Sequence, residues 1–112
     1  MKMLDWNNYR DQVLTRVGQI GKHSPDTEKG YLTLSGAGAK TARLDAKTRE
    51  LIALAAAVSL RCDGCIAVHA DAAKKRGVTE DELAEALGVA ISVNAGAALV
   101  YATRTFDAFE AA

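Results

Sequence analysis

Two cysteines, a histidine and a glutamate are the residues of this 112-residue chain whose spacing best suits chemistry. Cys62 and Cys65 are the only two cysteines, His69 stands four residues after the second, and eleven residues separate Glu50 from Cys62. If residues 62–76 form a helix, Cys65 lies at about −60° and His69 at about −20° from Cys62, so the three share one face. A dithiol with an imidazole beside it is the outline of a redox site.

Three features of this segment favour the thiolate, which is the form of cysteine that attacks a peroxide or a disulfide. The cysteines lie near the expected start of a helix, whose dipole and free N–H groups favour negative charge. His69 is one turn beyond Cys65 and can act as a general base. Glu50 can hold the other nitrogen of the imidazole. A second cysteine also provides a recovery route, because a sulfenic acid on one sulfur condenses with the other thiol to a disulfide.

Other interpretations of the same residues remain open. Cys62, Cys65, His69 and Glu50 can supply four ligands to zinc, although structural zinc sites more often combine two well-separated ligand pairs. The thiols can be inert and buried, and a structural disulfide would close only a very short loop. His23 lies in a polar segment and is expected to be solvated. We expect no metal and no cofactor.

Length, composition and charge exclude several classes of protein. A chain of 112 residues is one domain and buries a limited share of its surface. With 9 glycines, abundant alanine and 5% aromatic residues it has little apolar area per helix, so we expect a homo-oligomer. Fourteen basic residues balance fourteen acidic ones, which argues against nucleic acid as a partner. The first six residues contain no apolar core of a secretory signal, so we expect a cytoplasmic protein.

The first half of the chain predicts two amphipathic helices and a loop. Apolar residues recur at three- and four-residue steps from Trp6, which predicts a helix that ends near Gly18 or Gly21. The single proline, Pro25, is suited to opening a second, short helix. The segment 36–40, Gly-Ala-Gly-Ala-Lys, is expected to be a flexible loop.

The second half predicts four more helices, and thus an all-α bundle of about six. Asp45 is a suitable N-cap for a third helix, which is apolar from 51 to 60 except for Ser59 and should be buried nearly all round. The dithiol helix should end at Gly77, and Thr79 begins a capping box with Glu82. A fifth helix to about Asn94 and a sixth over 95–109 complete the prediction.

The apolar segment 86–102 raises the question of a membrane span. It is only 17 residues of mostly alanine, with Ser92 and Asn94 inside, so we expect no membrane crossing. Gly88, Ser92 and Gly96 stand at four-residue intervals, which suits close packing within the fold or between subunits.

The pattern Glu50-x11-Cys62-x2-Cys65-x3-His69 resembles the signature of the alkyl hydroperoxidase D-like proteins of the carboxymuconolactone decarboxylase superfamily. The flanking segments agree with this resemblance, namely Leu-Asp-Ala-Lys-Thr-Arg-Glu-Leu-Ile at 44–52 and His-Ala-x2-Ala-x3-Gly-Val-Thr-x2-Glu-Leu at 69–83. The resemblance covers about residues 44–106, which we take as the family core of a single domain. An N-terminal helical segment over 1–40 precedes this core.

The resemblance implies an all-α fold, homotrimers or homohexamers, and thiol-dependent reduction of alkyl hydroperoxides by an external dithiol reductant. Cys62 and Cys65 match the redox pair, and Glu50 and His69 match the proton relay. One departure is that the family's peroxidase has a further relay histidine where this chain has Gly64.

Two alternative functions follow from the sequence. One is the decarboxylase branch of the superfamily, although its lactone chemistry does not use a C-x-x-C pair. The other is a non-catalytic oligomeric or zinc-held scaffold. A peroxide-reducing thiol enzyme is the favoured hypothesis. Either cysteine is a candidate for the attacking sulfur: the N-terminal one attacks in thioredoxin-like sites, whereas Cys65 is the one that lies one turn from His69.

Overall fold

The computed structural model describes residues 1–112 as five helices joined by short connections. These helices are α1 (Trp6–His23), α2 (Pro25–Thr41), α3 (Ala46–Leu60), α4 (Asp63–Lys75) and α5 (Glu80–Ala111). The structure contains no strand, so the predicted all-α class is confirmed.

Local capping signals set the starts of the helices that position the dithiol. The Asp45 carboxylate accepts the N–H of Thr48 at 2.8 Å and caps α3. The predicted capping box at α5 is present in both directions, with the N–H of Glu82 donating to Thr79 Oγ1 and the N–H of Thr79 donating to Glu82 Oε1. At the end of α4, Gly77 has φ +84°, the left-handed conformation expected of a glycine that stops a helix.

The predicted loop over 36–40 is wrong, and so is the predicted end of the first helix near Gly18 or Gly21. Helix α2 is continuous to Thr41, and α1 continues to His23. Two of the glycines allow close approach instead of ending a helix. A Cβ at Gly38 would lie 3.1 Å from the Arg49 side chain, and one at Gly21 would lie 2.5 Å from the carboxyl group of Glu28.

The prediction of a fifth and a sixth helix is also wrong, because α5 is one helix of 32 residues. Asn94, where the break was expected, stays helical. Its side-chain amide donates to the carbonyl of Ala90 one turn back at 2.7 Å and to Ser59 Oγ on α3 at 2.8 Å. No proline interrupts the segment, so nothing local ends the helix there.

Helix α3 lies at the centre of the arrangement and packs against both α4 and α5, whereas α1 packs against α2 and α4. Only five residues are buried, namely Leu54, Ala57, Ala67, Ala73 and Ala90. The expectation that α3 is buried nearly all round is wrong for a single chain. Since its neighbours cover only part of it, Ile52 and Leu60 remain 53% and 77% exposed.

The chain exposes far more surface than a compact monomer of its size. Its accessible surface is 8980 Å², against roughly 5900 Å² for a folded monomer of this mass. Its radius of gyration is 17.9 Å, against about 13 Å for a compact chain of this length. Apolar side chains account for part of the excess, since Leu99, Val100, Tyr101, Phe106 and Phe109 on α5 are each at least 68% exposed.

By length and composition alone, α5 is apolar enough to cross a membrane, with a mean hydropathy of 1.7 in its most apolar window. Such a helix is weak evidence for a span, because the core helices of soluble proteins have the same composition. What the structure adds is that this apolar surface is open, with 6% of that window buried.

Replacing Gly77 should destabilise the fold, because an L-residue is strained at φ +84°. We expect Gly77→Ala to lower the free energy of unfolding by about 1 kcal/mol, measured by urea denaturation. Gly18→Ala is the matched control. It lies inside α1 with nothing within 4 Å of an added Cβ, and it should leave stability unchanged or raise it. Equal effects of the two substitutions would contradict the assignment.

Acid should weaken the start of α5 through Glu82. Its pKa is lowered from 4.5 by the hydrogen bond from the Thr79 backbone and then by Lys47, whose Nζ lies 2.9 Å from Oε2. A lowered pKa contributes stability that is present above pH 4.5 and is lost as the pH falls through the folded-state value. The unfolding free energy of the wild type should therefore fall more steeply below about pH 4.5 than that of Glu82→Gln, with Glu85→Gln as the control.

Candidate functional site

The dithiol occupies the turn between α3 and α4. Arg61 ends α3 in the left-handed conformation with φ 53°, and Cys62 is the N-cap of α4. The backbone N–H of Cys65 donates to Cys62 Sγ at 3.2 Å. The Cys62 sulfur therefore occupies the position of a capping side chain, where the free N–H groups of the helix favour negative charge.

Cys62 and Cys65 are joined by a disulfide bond, with their Cα atoms 5.2 Å apart. That separation lies in the usual range for disulfides. Both residues are partly buried. The pair can thus interconvert between a dithiol and a disulfide within one turn of backbone, which is what a redox cycle requires.

Glu50 and His69 are hydrogen-bonded across the α3–α4 interface, with Nδ1 of His69 2.9 Å from Oε2 of Glu50. Because a carboxylate only accepts hydrogen bonds, Nδ1 carries the proton and Nε2 of a neutral imidazole is left free as a base. The Glu50 side chain is 14% exposed and that of His69 is 35% exposed. The pair is thus partly shielded from solvent but not enclosed, and His69 lies one turn along α4 from Cys65.

A fifth residue of the site, Arg76, was missed by the sequence analysis. Its Nε lies 3.6 Å from Oε1 of Glu50, the carboxylate oxygen that His69 does not use. The available signal was spacing, because Arg76 is seven residues after His69 and falls on the same face of α4. Its position in a run of basic residues at the end of the helix concealed this, since cations are favoured there by the dipole alone.

Helix α1 covers the other side of the dithiol turn. A Cβ at Gly64 would lie 3.4 Å from Cγ1 of Val13, so the helix approaches as closely as an ordinary contact permits. Further along the interface, Arg10 Nη1 lies 3.2 Å from Asp71 of α4. The space in front of Gly64 is thus occupied by α1.

Three charged side chains at the contact between α1 and α4 are paired with one another. Lys75 and Arg10 both contact Asp71. The hydrogen bond from Lys75 lowers the pKa of Asp71, and the positive charge of Arg10 acts in the same direction. This network belongs to the α1–α4 interface, on the side of the helix away from Glu50.

The site is a surface feature and not a deep cavity. A cleft of about 720 Å³ follows α1 and is lined by residues between Tyr9 and Ile20. Neither the cysteines nor Glu50 and His69 line it. No group of three or more His, Cys, Asp and Glu side chains has the arrangement of a metal site. His23, at the end of α1, is exposed as expected.

The structure thus brings the four sequence-predicted residues into two contacting pairs, Cys62 with Cys65 and Glu50 with His69. Cys65 and His69 lie along one face of α4, Glu50 contacts His69 from α3, and Arg76 contacts Glu50 from the end of α4. Together they provide two sulfurs, a base, a carboxylate and a cation on the partly exposed side of the α3–α4 interface.

Comparison with known proteins agrees with this arrangement. A sequence model described as the carboxymuconolactone decarboxylase family matches residues 25–108. An uncharacterized protein of Haemophilus influenzae is 47% identical over 105 residues, which cover 94% of this chain and 93% of that one. An uncharacterized protein 4 in the cox locus of Paracoccus denitrificans is 32% identical over 79% of each chain.

A solved structure shows the same fold. It is the crystal structure, in the apo form, of a carboxymuconolactone decarboxylase family protein from Legionella pneumophila. The two chains are 36% identical, each is covered over 94% of its length, and the TM-score is 0.75. With the family model matching three quarters of the chain and the fold shared over nearly all of it, this protein belongs to the carboxymuconolactone decarboxylase family.

Proposed function

We propose that this protein is a cytoplasmic antioxidant thiol oxidoreductase that reduces alkyl or hydrogen peroxides through a Cys62–Cys65 dithiol/disulfide cycle. The observation that carries the proposal is the 2.9 Å hydrogen bond from His69 to Glu50, one helical turn from a C-x-x-C pair at the start of α4. It supports a base with a defined tautomer beside a dithiol that the helix start favours in its charged form.

In the first step the reduced protein attacks the peroxide. His69 accepts the proton of the Cys65 thiol at Nε2, and the thiolate sulfur bonds to the terminal peroxide oxygen as the O–O bond breaks. The leaving alkoxide takes the proton back from His69 and departs as an alcohol, or as water if the substrate is hydrogen peroxide. Cys65 is left as a sulfenic acid.

In the second step the Cys62 sulfur attacks the sulfenic acid of Cys65. A disulfide forms and the hydroxyl leaves as water after taking up the proton of the Cys62 thiol. The peroxide has then gained two electrons and the dithiol has lost two. An external dithiol reductant returns the pair to the reduced form by thiol–disulfide exchange.

Glu50 would act through His69 in this cycle. Its carboxylate holds Nδ1–H of the imidazole, so Nε2 is the basic nitrogen, and it stabilises the imidazolium that forms when the thiol proton arrives. The burial of Glu50 strengthens this effect, because the charge interaction is less screened there than at an exposed site.

Peroxide turnover tests the proposal directly. With excess dithiol reductant, the wild type should consume an alkyl hydroperoxide faster than the reductant alone. Cys65→Ser and His69→Ala should each lose at least roughly 100-fold of that rate, because one removes a sulfur of the cycle and the other removes its base. His23→Ala is the matched control, since this second histidine is exposed and distant in sequence, and it should retain full activity.

A wild type no faster than the reductant alone would contradict the peroxidase function. Reduction of a model protein disulfide under the same conditions would then identify the dithiol as a disulfide reductase. Loss of activity in His23→Ala to the same extent would contradict the assignment of His69 as the base.

We further propose that the protein assembles into a homotrimer or a homohexamer. Its surface excess of roughly 3000 Å² over a compact monomer is well above the ~800 Å² that each partner buries in a standard interface. The exposed apolar side chains of α5 supply such a surface. Gly88 and Gly96 have no neighbour within 4 Å of an added Cβ inside the chain, which leaves room for another copy.

Light scattering during size-exclusion chromatography checks the assembly. The wild type should have three or six times the mass of the 11.8 kDa chain. Phe106→Glu should reduce that mass and lower the thermal midpoint, because a carboxylate would be buried in an apolar interface. Gln19→Glu, which adds a carboxylate to exposed α1, is the control and should leave the mass unchanged. A monomeric wild type would contradict the proposal.

A further inference from the structure

Arg76 is the one cation in contact with the candidate relay. It lies at the C-cap of α4, beside Gly77, whose left-handed conformation ends the helix there. Its Nε is 3.6 Å from Oε1 of Glu50, while Oε2 of the same carboxylate is 2.9 Å from His69. The half-buried carboxylate therefore has a different partner on each oxygen, one from α4 and one from the residue that caps it.

We propose that Arg76 is a positioning residue for the dithiol chemistry, which holds the Glu50 carboxylate against His69 and offsets its negative charge. The inference rests on the proposed function, since it concerns the same site. It adds a residue that the pattern of Glu50, Cys62, Cys65 and His69 does not contain.

Arg76 and His69 together restrict the orientation of the Glu50 carboxylate. A carboxylate bound on one oxygen only can rotate about its terminal torsion, which is broad for glutamate. With Arg76 on Oε1 and His69 on Oε2 that rotation is restricted. The imidazole is then held with Nδ1 toward Glu50, which leaves Nε2 as the nitrogen free to act as a base.

The positive charge of Arg76 also affects how readily a thiolate forms in the site. A carboxylate without a cation beside it adds negative charge to a site that must form a thiolate, and like charges disfavour one another. A positive charge at Arg76 favours the deprotonated form of every acid nearby. Removing it should therefore raise the pH at which the thiol becomes reactive, whichever cysteine reacts first.

Some of the other charged groups around α4 are paired elsewhere, whereas Asp63 and Lys74 of α4 and Arg61 at the end of α3 are exposed and form no ion pair. On α1 and α4, Arg10 and Lys75 pair with Asp71. On α3, Lys47 pairs with Glu82 of α5. Glu50 of α3 is the charged group that Arg76 contacts.

Interaction with the helix dipole is the simpler explanation of a basic residue at this position. Lys74 and Lys75 satisfy that explanation equally well, yet Arg76 is the one that contacts Glu50. Lys74 is exposed and outside these ion pairs, so Lys74→Gln removes the same charge from the same helix end and serves as the matched control.

The test is the rate at which iodoacetamide alkylates the reduced protein, measured from pH 5 to 10. Arg76→Gln should move the midpoint of this profile to higher pH by ~0.5 unit, the effect of one half-exposed charge. Below the midpoint the rate should fall about threefold. Arg76→Lys should recover most of the shift, and Lys74→Gln should leave the midpoint within ~0.1 unit of the wild type.

A double substitution separates positioning from a general charge effect. If Arg76 acts through Glu50, its replacement in a Glu50→Gln background should shift the midpoint much less than in the wild type. Equal shifts in the two backgrounds would overturn the positioning role, and so would an Arg76→Gln profile that overlaps that of Lys74→Gln. If Arg76→Gln does not fold, the comparison of Arg76→Lys with Lys74→Gln decides.

Alkylation needs no peroxide, so this outcome is independent of the proposed activity. A shifted profile in a protein that does not consume peroxide would overturn the peroxidase function and leave the role of Arg76 standing. An active peroxidase with an unshifted profile would support the peroxidase function and overturn the role of Arg76.

Discussion

The reversal of the chain at Arg61 and Cys62 is the constraint on which the site depends. A left-handed residue ends α3 and a capping cysteine begins α4 immediately after it, so the two helices pack side by side. This packing places Glu50, well back along α3, against His69 on α4. The same turn places the two sulfurs at the start of α4, so one local feature determines the position of the dithiol and that of His69.

The chemistry is divided between local and distant contributions. The disulfide and the helix start are local, because Cys62 and Cys65 are one turn apart and the cap is formed by Cys62 itself. The carboxylate comes from another helix and is mostly buried, where its interaction with the imidazole is less screened by solvent. One helical turn cannot by itself provide a mostly buried partner for the imidazole, so this partner comes from the α3–α4 interface.

The chain as a monomer is poorly enclosed. Five buried residues, four of them alanine, form a core too small to account for most of the apolar surface of α3 and α5. Alanine and glycine let helices approach closely but contribute little apolar area each. In the proposed assembly, the long α5 with its open apolar side is the element best placed to make contacts between copies.

Local signals in the sequence determined the class of fold, the caps at Asp45 and Thr79, and the dithiol face, because each of these depends on residues within about one or two turns of each other. The continuity of the helices was harder to predict from the sequence. Glycines at 21 and 38 are typical of breaks, but the structure uses them where another helix or side chain approaches. Asn94 likewise continues α5 because Ser59, distant in sequence, accepts its hydrogen bond. Only the tertiary structure revealed Arg76 on Glu50, since a pattern of spacing along α4 does not tell which of three neighbouring cations contacts α3.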